Sequence, residues 1–133
     1  MTLQIDGSWK QDKKRDTTHA AGWAITGSDG QVLKMGGNLI KAKDPLQTEA
    51  LAMLHGLQDV SVEVNQIKIH TDSSLLVQHL RRPDTAPVHI RNIIQDILSV
   101  LNRFSYVYCI KVNRSLVNLA HIQATRARTA LSR

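Results

Sequence analysis

Three carboxylates in this chain, Asp6, Glu49 and Asp72, could do chemistry together. Asp6 sits in the middle of "LQIDGSWK", and strand interiors are poor in aspartate. A carboxylate inside a buried strand is costly to desolvate unless something pairs with it. Glu49 lies beside an apolar helical stripe and, taken alone, reads as a solvated helix residue. Asp72 closes the run "QIKIHTD". Capping the next helix would explain it, although Ser73 or Ser74 could cap equally well. The rest of the 11 acidic residues have ordinary settings. Asp12, Asp16, Asp29 and Asp84 fall in polar loops or turns, Asp44 at a helix start, and Asp59, Glu63 and Asp96 on solvated positions. Gathered at one point, Asp6, Glu49 and Asp72 would repel and raise one another's pKa unless a cation intervened. A hard divalent ion with oxygen ligands removes that conflict, and Mg²⁺ readily takes phosphate oxygens as well. Two such ions about 3.5–4 Å apart can activate a water and stabilise the leaving oxygen of a phosphodiester.

The elements must bring these residues together. Residues 2–10 read as a strand, "QDKKRDTTH" as a polar loop and "AAGWAITG" as a second strand. Ser28-Asp29-Gly30 suits a tight hairpin turn into a third strand, "QVLKMGGNLI", with Gly36-Gly37 marking a bulge. Asp44-Pro45-Leu46-Gln47 is a helix start with a cap, a first-turn proline and a capping-box glutamine. Leu46, Ala50, Met53, Leu54 and Leu57 then follow helical spacing. A fourth strand covers residues 66–72, and "SSLLVQHL" forms a short helix. After the loop "RRPDTAP", Ile90, Ile93, Ile94, Ile97, Leu98 and Leu101 form the next helical stripe. "FSYVYCIKV", residues 104–112, is apolar on both parities, as in a strand covered on both faces. A last helix starts near Ser115, with Leu116, Leu119, Ala120, Ala124 and Ala127 on one face. The order βββαβααβα predicts an α/β fold with a mixed five-stranded sheet flanked by helices. Strands four and five join it through right-handed crossovers. If the fourth strand runs parallel to the first, Asp6 and Asp72 meet near the carboxyl-end crevice where open α/β sheets place ligands.

Composition bounds the function. The 133 residues suit one domain spanning 1–133, and 42% apolar content suits a globular core. No stretch reaches the length of a membrane span and no signal peptide is evident, so neither a membrane role nor export is expected. The lone Cys109 fits a reducing, intracellular setting and reads as a small core residue. A formal charge of +6 favours polyanionic partners, nucleic acid first. His19, His55, His70, His79 and His89 show no metal-ligand spacing, and no glycine-rich phosphate loop or zinc pattern occurs. Aromatic content of 4% argues against a stacking-based single-strand binder, and Trp9 and Trp23 read as packing residues.

"IDGSW", the Glu49 in "TEALAML" and "TDSSLLVQHL" together resemble the ribonuclease H domains, most closely the reverse-transcriptase-like subgroup abundant in plants. The resemblance covers nearly the whole chain, including the element order. It implies a metal-dependent endonuclease that cuts the RNA strand of an RNA–DNA hybrid with two Mg²⁺ or Mn²⁺ ions. Asp6, Glu49 and Asp72 would be the metal-binding and catalytic carboxylates, with Asp6 bridging the ions. Gly7 would let the backbone approach the substrate, and Ser8, Thr48, Ser73 and Arg114 would contact nucleic acid. A monomer is the working expectation.

Two departures from the pattern matter. Ribonucleases H usually carry a fourth acid at the start of the last helix, in a pattern like Arg-Glu-x-Asn-x-x-Ala-Asp. This chain reads "RSLVNLAH", with His121 where the aspartate belongs, as in many plant-type members. An imidazole there could shuttle a proton or orient water. The substitution could instead mark a domain that binds nucleic acid with little cleavage, or His121 could be a solvated helix residue unconnected with the site. The link "RRPDTAP" is also shorter than the basic protrusion that some members carry, leaving Arg81, Arg82, Lys13, Lys14 and Arg114 as possible grips. Another phosphodiesterase of the same fold, such as an exonuclease or a transposase-like nuclease, is a further alternative.

Overall fold

A computed structural model describes residues 1–10 and 18–129. Three strands, β1 (Thr2–Lys10), β2 (Thr18–Thr26) and β3 (Val32–Ile40), pair antiparallel in sequence order. Helix α1 (Pro45–Gln58) then leads to β4 (Gln66–Thr71), which pairs parallel to β1. Helices α2 (Ser74–Arg81) and α3 (Val88–Leu101) precede β5 (Tyr106–Lys111), parallel to β4, and α4 (Asn118–Thr129) closes the chain. The sheet order is β3-β2-β1-β4-β5, the mixed five-stranded sheet expected from the sequence. Among the described residues, no helix is long and apolar enough to cross a membrane.

Local chemistry sets the boundaries. The turn after β2 puts Gly30 at φ 83, where side chains are disfavoured, and the Asp29 carboxylate accepts the Gln31 N–H. The Asp44 carboxylate caps α1 by accepting the Gln47 N–H at 2.8 Å. The Gln47 side chain reaches back to the Lys43 N–H, one residue earlier than a capping box would place it. "RRPDTAP" contains a single 3₁₀ turn, Pro83–Thr85. A second 3₁₀ turn, Arg114–Val117, precedes α4, so the last helix starts three residues later than its sequence suggests. β2 begins at Thr18 rather than Ala20, because His19 pairs across from Trp9.

The main core lies between the sheet and α1 and α3. Leu3, Ile5, Ile67 and Ile69 point down from the sheet onto Met53, Leu57, Ile90, Ile94 and Ile97, all fully buried. Helix α4 covers the other face, over β1, β2 and β3. Small residues bring it close. A Cβ at Gly22 would sit 2.1 Å from the Ala120 carbonyl oxygen, and one at Gly37 2.6 Å from that of Gln123.

Three local expectations change. Gly36-Gly37 forms no bulge, since the β2–β3 register runs through both and shifts instead at Ile25/Thr26. Gly36 is small because the Trp23 indole lies over it, within 2.6 Å of a Cβ there. β5 is an edge strand, not one covered on both faces: Tyr106 and Tyr108 are exposed, and the apolar flanks Phe104 and Val112 are the buried ones. Leu116 is exposed, and the inward positions near the start of α4 are Val117, Ala120 and Ala124.

Candidate active site

The β1–β4 register pairs Gln4 with His70, and two more residues along each strand bring Asp6 beside Asp72. Strand alternation puts Gln4, Asp6 and Ser8 on the α4 face. Helix α1 packs across β1 and carries Glu49 to the same place. One carboxylate oxygen from each of Asp6, Glu49 and Asp72 lies within 4.8 Å of the others. Among the described residues no other group of histidine, cysteine and acidic side chains converges in this way. Ser73, not Asp72, caps α2: its Oγ accepts the Leu76 N–H at 3.2 Å. Asp72 is thereby free to face the other two acids.

Burial and mutual repulsion dominate the electrostatics of the cluster. Asp6 is 1% exposed. Burial raises its pKa, the Asp72 charge adds to the rise, and the His121 hydrogen bond opposes it. Glu49 is pushed well above the usual carboxylate range by burial, then by the charges of Asp6 and Asp72, with the Gly7 N–H opposing. Its Oε1 accepts that N–H at 3.0 Å, while Oε2 is buried with no hydrogen-bond partner among the described residues. A buried acceptor left without a donor beside two more carboxylates suits a cation. The donor set is all oxygen, as Mg²⁺ and Mn²⁺ prefer.

Two basic side chains border the cluster. His121 Nδ1 lies 2.8 Å from Asp6 Oδ2, and the ionised carboxylate takes that bond from the ring N–H. The imidazole is 47% exposed and lines an open groove of about 580 Å³ with Arg114, Ser115 and Asn118. Arg114 Nε lies 3.7 Å from Asp72 Oδ2. Arg81 and Arg82, with Lys111, line a second groove between α2 and β5, bordered by Ser74. Lys13 and Lys14 lie outside the described residues.

Other expected contacts are placed differently. Thr48 is 1% exposed and its hydroxyl donates to the Asp44 carbonyl, so it is a buried helix residue and not a surface contact for nucleic acid. Gly7 is tightly packed on its inner side: a Cβ there would lie 2.5 Å from Thr48 Cγ2, and its N–H is directed to Glu49. Ser8 Oγ accepts from Arg128 Nε at 2.9 Å. The local sequence shows Arg128 only as one of the basic cluster Arg126/Arg128/Arg133, because its position beside Ser8 depends on the docking of α4. Asp59, whose sequence setting suggests a solvated position, accepts from Trp23 Nε1 at 2.8 Å and pairs with Lys34 at 2.6 Å. Burial raises its pKa, but the Lys34 and Trp23 hydrogen bonds and the Lys34 charge outweigh that and hold it low.

Comparison with known proteins agrees with this fold. Residues 4–127 match the family model described as reverse transcriptase-like. No curated protein matches the chain. Among solved structures it is similar to ribonuclease H1 from the halophilic archaeon Halobacterium salinarum, with 23% identity, 95% of each chain covered and a TM-score of 0.83. It is similar to the LC11 ribonuclease H1, isolated from compost by metagenomics and solved with an RNA/DNA hybrid, at 14% identity, 99% of each chain covered and a TM-score of 0.85. It also resembles part of the foamy viral protease-reverse transcriptase bound to an RNA/DNA hybrid, at 12% identity, with 97% of this chain and 20% of that one covered and a TM-score of 0.80.

Proposed function

The chain belongs to the reverse transcriptase-like family and has the ribonuclease H fold, and on that premise we propose that it is a metal-dependent endoribonuclease acting on RNA–DNA hybrids. The observation that carries this is the convergence of Asp6, Glu49 and Asp72 within 4.8 Å, two of them with raised pKa values and one oxygen without a donor. These residues would hold two Mg²⁺ or Mn²⁺ ions, which when bound supply an activated water and charge stabilisation at the scissile phosphate.

The chain's own residues orient the site. The Gly7 N–H fixes the Glu49 carboxylate through Oε1 and leaves Oε2 toward the cluster. His121 bonds Asp6 through Nδ1, and in the neutral imidazole that bond puts the proton on Nδ1 and leaves Nε2 as the acceptor. From the groove edge, that nitrogen is suited to orient water or to pass a proton. Arg114, exposed beside Asp72, offers its guanidinium to a phosphate oxygen. Ser73 contributes from the start of α2, where capping fixes its orientation. Discrimination for RNA would lie in contacts to the 2′-hydroxyl.

A competing reading, binding without turnover, draws on His121 at the fourth acidic position. The test is a substrate panel in Mg²⁺ and in Mn²⁺: an RNA–DNA hybrid with blocked RNA ends, the matching duplex RNA and the duplex DNA. Internal cutting of the RNA strand in the hybrid alone supports the proposal. Cutting that requires a free end indicates an exonuclease, and salt-sensitive binding without cutting supports the competing reading.

A further inference from the structure

Three alternate side chains of β1 are tied to α4. Gln4 Oε1 accepts the Ala120 N–H at 3.0 Å, Asp6 accepts from His121 Nδ1 at 2.8 Å, and Ser8 Oγ accepts from Arg128 Nε at 2.9 Å. The rungs differ in what they leave over. The Gln4 rung satisfies an N–H of the first turn of α4, which has no partner within the helix. The Asp6 rung belongs to the acidic cluster. The Ser8 rung uses one guanidinium donor of five. Among the described residues no carboxylate pairs with Arg128, and no group takes its Nη nitrogens. An arginine serving only to fasten a helix would direct the fork at a carbonyl or carboxylate. This one is anchored through the nitrogen that leaves the fork open.

The position of that fork is informative. Ser8 lies two residues beyond Asp6 on the same strand face, about 6.6 Å further along β1. His121 and Arg128 are two helical turns apart and share a face of α4. Arg128, held on Ser8, therefore stands beside the cluster, one same-face step beyond Asp6 along β1. The chain is held in this geometry by the glycine-mediated contact of α4 with β2 and β3.

We infer that Arg128 binds a substrate phosphate next to the scissile one, through its two Nη nitrogens, and that Ser8 is the positioning residue that aims it. The inference rests on the ribonuclease reading of Asp6, Glu49 and Asp72. It reassigns the expected Ser8 contact: the hydroxyl faces α4, and the guanidinium it holds meets the nucleic acid. A planar fork matches two phosphate oxygens at once, as a lysine ammonium cannot.

The test is equilibrium binding of a short RNA–DNA hybrid in Ca²⁺ across a salt series, with hybrid integrity checked afterwards. Arg128→Ala should weaken binding about 5- to 10-fold at low salt and reduce the slope of log affinity against log salt by about one. Arg128→Lys should keep the slope and recover only part of the affinity. Ser8→Ala should keep the slope and weaken binding less than Arg128→Ala. Arg128→Gln, which retains a donor toward Ser8, should show the same reduction of the slope by about one while folding normally, and it serves if the alanine variant is unstable. Wild-type affinity and slope in Arg128→Ala or Arg128→Gln, with or without a lowered melting temperature, would overturn the inference and leave Arg128 as a helix fastener. Failure of the unmodified protein to bind the hybrid in a salt-dependent way would instead overturn the ribonuclease reading, and the Arg128 assignment with it.

Discussion

Replacing Glu49 by glutamine should make the metal-free protein more stable at neutral pH. Glu49 Oε1 takes the Gly7 N–H, and a glutamine oxygen keeps that bond. Oε2 has no donor, and the Asp6 and Asp72 charges face it. A glutamine NH₂ placed there removes one charge and offers a donor to the Asp6 carboxyl, which lies within hydrogen-bonding reach. Relieving one unsatisfied buried group stabilises by about 1–3 kcal/mol. At roughly 4 °C per kcal/mol for a domain of this size, the melting temperature should rise by about 4–12 °C. The effect depends on pH with a fixed sign. The native pKa of Glu49 is raised above the unfolded value of about 4.3, so between the two the native state holds more protons. Stability of the unmodified protein therefore falls as pH rises through that window, while glutamine does not titrate. The gap between variant and wild type should open from acid to neutral pH. Thermal unfolding by circular dichroism in EDTA from pH 4 to pH 8 measures it. Saturating Mg²⁺ should then reverse the order, since ligand at 100 times its Kd stabilises the binder by about 2.7 kcal/mol. A glutamine variant that is less stable than wild type at pH 7 in EDTA, or a gap that stays constant with pH, would refute the reasoning.

Asp59→Asn should destabilise by about 1 kcal/mol at pH 7, because it loses the Lys34 pair and weakens the Trp23 bond in a partly exposed setting. Its native pKa is held low, so this contribution is present at neutral pH and disappears as pH falls through that depressed value; urea unfolding at pH 7 and pH 2 reads both. Gly22→Ala should lower stability by roughly 3 kcal/mol or more, since its Cβ meets backbone of α4 that cannot turn aside, and denaturant melts would show it. Thr48→Val should leave hybrid affinity unchanged while lowering stability by about 1 kcal/mol, because the hydroxyl is a buried donor to Asp44. Cys109, its thiol pushed up to about 11 by burial despite the Arg81 charge, should react with a disulfide reagent at pH 8 far more slowly in the native protein than in urea.

What the sequence revealed of the site followed from local anomaly. Asp6 was conspicuous because an aspartate in a strand lacks a local explanation. Asp72 became so only when paired with it, since a cap before α2 was an equal account until Ser73 proved to be the cap. Glu49 had no anomaly of its own, and its burial arises from α1 crossing β1, a contact that no helical periodicity reports. The same limit hid Asp59, whose Trp23 and Lys34 partners come from two other strands, and Arg128, whose partner lies 120 positions away. Strand β5 looks covered in the sequence because the nine-residue run 104–112 has apolar residues on both parities. Tyrosine tolerates exposure, so Tyr106 and Tyr108 could occupy an outer face of the edge strand. Gly36-Gly37 looked like a backbone signal but answers to packing, against the Trp23 ring and α4.

The central claim is that Asp6, Glu49 and Asp72 form a metal-dependent hydrolytic site. Its most direct test is cleavage of an end-labelled RNA–DNA hybrid with Mg²⁺ or Mn²⁺ by the wild-type chain and by Asp72→Asn purified in parallel. Cutting of the RNA strand by wild type, abolished by EDTA and by Asp72→Asn, is the predicted result. No metal-dependent cutting by a folded wild-type protein that still binds the hybrid would contradict it.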